Sequence, residues 1–244
     1  MAERGAWLLK PPPDDARTLL FGFPYAGGGA SLYRRWPDRI GGAWFCPLQP
    51  PGREHRFREP AARTVDEFTT ALVEYLDRYA DRRLVFFGHC GGVPLALATT
   101  LALQDKGMPL PAHVFASGWG PPHEGLYGRL NFVDLATADL GAEVRDLFRR
   151  LGAPVREDFV EVAADILRVD LELHRPHRYD PARFLPAPVT VIGWTGDDVV
   201  PPAQTCRGWE RCAEVRYEVL DGEHFAFTTC PPSLVDLLTH DGGF

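Results

Sequence analysis

The sequence predicts an α/β fold in which helices flank a mostly parallel sheet. Short apolar runs alternate with helical patterns along the chain, as parallel βαβ units require. One such alternation, Leu84-Val85-Phe86-Phe87-Gly88-His89-Cys90-Gly91-Gly92, runs from a hydrophobic strand through a Gly-x-Cys-x-Gly turn into a helix. The 244 residues are 45% hydrophobic and 24% charged, enough apolar material for a buried core and a solvated surface.

In chain order, residues 18–23 read as a buried strand that stops at Pro24-Tyr25-Ala26-Gly27-Gly28-Gly29. Residues 43–48 form a second strand, closed by Pro50-Pro51-Gly52. Residues 64–79 predict a helix, because Thr64 and Glu67 make a Thr-x-x-Glu capping box and Phe68, Leu72, Tyr75, Leu76 and Tyr79 recur at helical spacing. Residues 84–87 are a strand and 91–104 the helix after it. Further strands are expected at 114–117, 189–192 and 215–220, with helices at 202–212 and 232–238. Residues 121–180 carry no strand signal, only helical patterns near 144–151 and 158–173. We read the chain as one domain over residues 1–244 with a helical insertion at about 121–180. At the carboxyl edge of a sheet such an insertion is either a lid or a plain helical excursion.

Composition also excludes several classes of function. A net charge of −7 offers no basic field to a nucleic acid. Five cysteines are an odd, sparse set for a disulfide scaffold, so they read as free thiols in a reducing compartment. Glu3, Arg4, Lys10 and Pro11-Pro12-Pro13 interrupt any targeting segment, and the longest apolar stretch, residues 93–103, is about half a membrane span. A monomeric cytoplasmic protein without membrane or nucleic-acid partners is the expectation.

The chemistry centres on the turn at Cys90. Small residues at 88 and 92 let strand and helix approach closely, which forces position 90 into a strained conformation with its side chain held clear. The backbone N–H of Gly91 and the positive end of the following helix then face a substrate carbonyl. A thiol there, beside an imidazole, is expected to carry substantial thiolate character; the alternative is a buried, inert cysteine. The general base is expected downstream, and His224 follows the last strand. Asp198, ahead of Asp197, is its expected orienter, although either aspartate could instead cap the helix that Pro201-Pro202 opens. Ala26 (or Gly27) is placed to supply a second oxyanion-hole N–H. His89 reads as a packed neighbour. His174 and His177 lack companions for a metal site, Cys206 and Cys212 read as packing residues, and Cys46 and Cys230 have no assigned chemistry. No metal or cofactor is predicted.

These residues resemble a known family. Phe21-Gly22-Phe23-Pro24-Tyr25-Ala26-Gly27-Gly28, Pro51-Gly52-Arg53-Glu54, Gly88-His89-Cys90-Gly91-Gly92, Gly196-Asp197-Asp198 and Gly222-Glu223-His224-Phe225 fall in the order and approximate spacing of type II thioesterases. These are the free-standing α/β-hydrolases of nonribosomal peptide and polyketide assembly lines. The resemblance implies an α/β-hydrolase fold with a helical lid at 121–180. It also implies substrates thioesterified to the phosphopantetheine of acyl or peptidyl carrier proteins, and Cys90, Asp198 and His224 in the positions of the family's serine, aspartate and histidine. Three departures stand out: cysteine for serine at 90, Gly91 where a bulky residue (often methionine) is usual, and Glu223 for a glycine. Hydrolysis through a Cys90 acyl-enzyme is the leading expectation, transfer of the acyl or aminoacyl group to another thiol or amine the second. A catalytically silent carrier-binding module is the third. Arg34, Arg35, Arg53 and Arg56 are candidates to meet an acidic carrier protein or its phosphate, or are solvated loop arginines.

Overall fold

The computed structural model describes residues 7–244; Glu3 and Arg4 lie outside them. Among the described residues seven strands form: β1 (Thr18–Phe23), β2 (Arg39–Ile40), β3 (Ala43–Pro47), β4 (Arg83–His89), β5 (His113–Ser117), β6 (Val189–Trp194) and β7 (Val215–Leu220). They share one sheet in the order β2-β3-β1-β4-β5-β6-β7, parallel at every pairing except β2 with β3. In β4, β5 and β6 nearly every residue is buried, which is why these strands read as unbroken apolar runs rather than alternating ones. The antiparallel strand β2 escapes prediction because two residues carry no periodicity. It exists because Gly41, at φ 55°, turns the chain back onto β3.

The helices are α1 (Val65–Leu76), α2 (Gly92–Asp105), α3 (Leu140–Arg150), α4 (Glu157–His174), α5 (Pro202–Thr205) and α6 (Pro232–Gly242). Thr64 caps α1 by accepting from Glu67 N–H at 3.1 Å, while the Glu67 carboxylate reaches back one residue further than a standard box, to Arg63 N–H at 2.7 Å. α2 is buried over most of its surface, and Thr99 and Thr100 satisfy their hydroxyls on the carbonyls of Leu95 and Ala96. The helix expected over 202–212 stops at Thr205. Gly208 takes a left-handed φ of 71°, and Trp209, 1% exposed, anchors a short turn instead by donating its indole N–H to Thr205 O.

Between β5 and β6 the described chain is helix and loop, without a strand. α3 and α4 pack on each other around Leu135, Leu140, Val144, Val160, Leu167 and Leu171, a small core of their own. No helix among the described residues is long and apolar enough to cross a membrane. Because the strands are parallel, β1, β4, β6 and β7 all end at one edge of the sheet. The loops that follow them gather residues 24–29, Cys90, Asp197 and His224 there, beneath α3 and α4.

Candidate active site

The turn after β4 has the close approach its glycines imply. A Cβ on Gly88 would lie 2.7 Å from Gly92 O, and one on Gly92 would lie 2.6 Å from Phe23 O, so neither position admits a side chain. Squeezed between them, Cys90 adopts a φ of 49°, a left-handed conformation that costs a non-glycine residue about 1–2 kcal/mol. Hydrogen bonds hold it there: Cys90 N–H donates to Ser117 O at 2.9 Å, and Cys90 O accepts from Val93 N–H at 3.0 Å.

His224, 2% exposed, hydrogen-bonds through Nδ1 to Asp197 Oδ2 at 2.8 Å, and its ring also engages Cys90. Burial opposes protonation of this imidazole, but its interactions with Asp197 and Cys90 outweigh burial and push its pKa up to about 9. Asp197 is fully committed. Its Oδ1 accepts from the N–H groups of Val199 and Val200, each at 2.8 Å, so the side chain that orients His224 also caps the turn behind it. The structure thus corrects the choice of Asp198. That carboxylate points outward, its side chain 58% exposed, and pairs with Arg150 of α3 at 2.9 Å. The cause is a tight turn. Asp197 N–H returns to Trp194 O and Gly196 N–H bonds Gly222 O, which aims residue 197 at the loop carrying His224 and its neighbour away from it.

Ala26 N lies 3.1 Å from where a Gly91 Cβ would sit, so the two backbone positions expected to face a carbonyl are adjacent. Of the alternatives Ala26 and Gly27, Gly27 is already engaged: its N–H donates to Asp170 Oδ2 at 2.7 Å. Asp170 belongs to α4 and accepts from both terminal guanidinium nitrogens of Arg53, each at 2.6 Å, while Arg53 also donates to Gly28 O. Arg53 is 6% exposed and Asp170 7%, so Arg53 is neither a solvated arginine nor free to meet a partner. It ties the loop after β1 to α4. Arg56 is likewise largely buried, pairing with Glu59 and donating to Gln49 O, whereas Arg34 and Arg35 are exposed.

His89 is fully buried. It hydrogen-bonds Ser117 Oγ at 2.9 Å and stacks on Phe227 at 4.0 Å, while burial and neighbouring His224 hold its pKa well below normal. Burial pushes the thiols of Cys46, Cys206, Cys212 and Cys230 up, Cys212 to about 11, as suits packing residues. His174 and His177 do not meet a metal-ligand set; no such group exists among the described residues. Asp170 and His174 were accessible to sequence reasoning only as polar residues on the buried face of an otherwise apolar helix stripe with Leu167 and Leu171.

A cavity of about 310 Å³ lies over Cys90, bounded by Ala26, Gly91, Leu167, His174 and His224, with Arg150 and Asp198 at its wall. A thiol, an imidazole held by a carboxylate and two adjacent backbone N–H groups around one cavity can support acyl transfer.

The chain is similar to known proteins in the same sense. The linear gramicidin dehydrogenase LgrE of Brevibacillus parabrevis is 30% identical over 90% of this chain and 86% of its own length. A probable cadicidin biosynthesis thioesterase of Streptomyces griseus is 32% identical over 91% of this chain and 62% of its own. Among solved structures, RedJ, a thioesterase from the prodiginine biosynthetic pathway in Streptomyces coelicolor, superposes with a TM-score of 0.76 at 29% identity, covering 99% of this chain and 94% of that one. The thioesterase domain family model matches residues 18–240, and with that match over nearly the whole chain the protein belongs to the thioesterase family.

Proposed function

We propose that this protein is a type II thioesterase of nonribosomal peptide or polyketide biosynthesis. It hydrolyses acyl or aminoacyl thioesters on the phosphopantetheine of carrier proteins through a Cys90 acyl-enzyme. The observation that carries the reading is the strained Cys90 elbow facing an imidazole locked by Asp197. The names of similar proteins from gramicidin, cadicidin and prodiginine pathways support the biosynthetic setting.

The raised pKa of His224, about 9, lets its ring take and hold the Cys90 proton, and the thiolate so formed is the nucleophile. The thiolate attacks the thioester carbonyl, and the N–H groups of Ala26 and Gly91 receive the developing oxyanion. As the tetrahedral intermediate collapses, His224 gives its proton to the departing phosphopantetheine sulfur. The now neutral imidazole takes a proton from water, which attacks the Cys90 acyl group and releases the free acid, restoring thiolate and imidazolium. The helices between β5 and β6 act as the lid, closing over the cavity so that water enters after acylation rather than before.

Transfer is the second reading, and the cysteine itself favours it. A serine would convert a thioester into a more stable oxyester, whereas Cys90 forms another thioester, nearly isoenergetic with the donor and readily passed to a second thiol or amine. Intact-mass spectrometry with an acyl-loaded carrier, with and without a second empty carrier, separates the two. Hydrolysis yields free acid at a rate the second carrier does not change. A stable Cys90 adduct that moves to the second carrier sinks the hydrolase reading, and an unchanged outcome in Cys90→Ala sinks the nucleophile.

A further inference from the structure

Gly91 has no side chain, and His174 occupies the room this leaves. A Cβ on Gly91 would lie 3.2 Å from His174 Nε2 as well as 3.1 Å from Ala26 N, which puts the edge of the imidazole beside the oxyanion-hole backbone. His174 ends α4, is 3% exposed, and lines the cavity over Cys90. Its Nδ1 is buried without a hydrogen-bond partner, and its Nε2 lies beside Gly91, which lines the same cavity. Burial pushes its pKa down to about 4, leaving a neutral ring with one N–H and one lone pair at physiological pH. Its position is stiff, because Asp170, one turn earlier on α4, is clamped by Arg53 and Gly27. Leu171 and Leu167, one and two turns earlier on α4, line the same cavity with apolar side chains.

We propose that His174 is a specificity-determining residue whose Nε2 hydrogen-bonds a hydroxyl or amino substituent on the carbon atoms next to the thioester carbonyl. This deepens the reading of Cys90 as the acylated residue and rests on it. An unsubstituted acyl chain covers the imidazole with methylene groups and leaves it unpaired. A site built for a hydrogen bond rejects analogues that lack it more strongly than an apolar site rejects a methylene difference. A hydroxyl both donates and accepts, so it suits either imidazole tautomer.

The test compares kcat/KM for matched pantetheine thioesters, 2-hydroxypropanoyl against propanoyl and 3-hydroxybutanoyl against butanoyl, in the wild type, His174→Leu and His174→Gln. The wild type is expected to favour the hydroxylated member of a pair by about 10-fold, the worth of one net hydrogen bond. His174→Leu should bring that ratio close to one, and His174→Gln, which keeps a polar head, should retain part of it and supplies the comparison if the leucine variant does not fold. A wild type without preference, or turnover with a ratio neither substitution changes, overturns this proposal alone. A wild type that turns over no thioester and gains no acyl mass on Cys90 overturns the thioesterase reading and this proposal with it.

Discussion

Asp197 and Asp198 carry the same functional group one residue apart, and their surroundings separate them. Asp197 has both oxygens committed in a buried site and holds the His224 ring in place. Asp198 makes an exposed ion pair, a type of contact worth about 0–1 kcal/mol. Asp197→Asn is therefore expected to lower kcat by at least about 100-fold through loss of imidazole orientation and charge. Asp198→Asn should cost less than about 5-fold. Steady-state kinetics on a soluble acyl thioester checks both, and equal losses would return Asp198 to the site. The pH profile adds an independent reading. In the proposed mechanism departure of the thiol needs the His224 proton, so kcat/KM should fall as pH rises through about 9, and in a slow but active Asp197→Asn enzyme that limb should move to lower pH. At this scale the sequence showed the residue types and their order, because the elbow is a local steric arrangement. It did not show which carboxylate turns inward, because a turn that bonds β6 to the loop after β7 makes that choice.

α4 is tied to the sheet by one buried ion pair. Arg53 comes from the loop after β3 and Asp170 from α4, and Gly27 of the loop after β1 joins them, so three segments remote in sequence meet at one carboxylate. Removing one partner leaves an uncompensated buried charge, and Asp170→Ala is expected to cost about 3–5 kcal/mol of stability. Because the same carboxylate holds Gly27 next to Ala26, surviving activity should drop as well. Urea unfolding of Asp170→Ala, Arg53→Met and the double variant checks this. The double variant should lose less than the two single losses combined, and simple additivity would mean that the pair is not coupled. Apart from α5, which stops at Thr205, the helices were legible, since periodicity and a capping box are local. The fate of Arg53 was not, because a loop arginine with no acidic neighbour at helical spacing looks solvated until α4 folds over it.

Across the whole molecule, buried imidazoles set the pH range of stability. Burial holds His113 and His174 at about 4 and His89 well below normal, so between about 6.5 and 4 the unfolded chain binds protons that the folded one does not. Their contribution is full above about 6.5 and is lost as pH falls toward 4, at up to about 1.4 kcal/mol per pH unit for each ring. His224 has the opposite sign. Its raised pKa gives a contribution that is full below about 6.5 and disappears as pH rises through about 9. Stability measured by urea midpoint should therefore peak near neutrality, with an acid limb that His174→Leu makes shallower. An acid limb of unchanged slope in that variant would show that His174 is not held neutral by the fold.

The sequence by itself determined what short-range sterics and periodicity can encode. This includes the parallel αβ alternation, the strand–glycine–cysteine–glycine–helix elbow, the helical character of residues 121–180 and the order of cysteine, carboxylates and histidine. Tertiary structure alone decided that Asp197 rather than Asp198 meets His224, that Asp170 takes the Gly27 N–H, that Arg53 is buried against Asp170 and that His174 sits beside Gly91. The reason is the range of the contacts. Asp170 meets Arg53 across 117 residues of chain and Gly27 across 143, and no local pattern records a partner that only the folded sheet brings near.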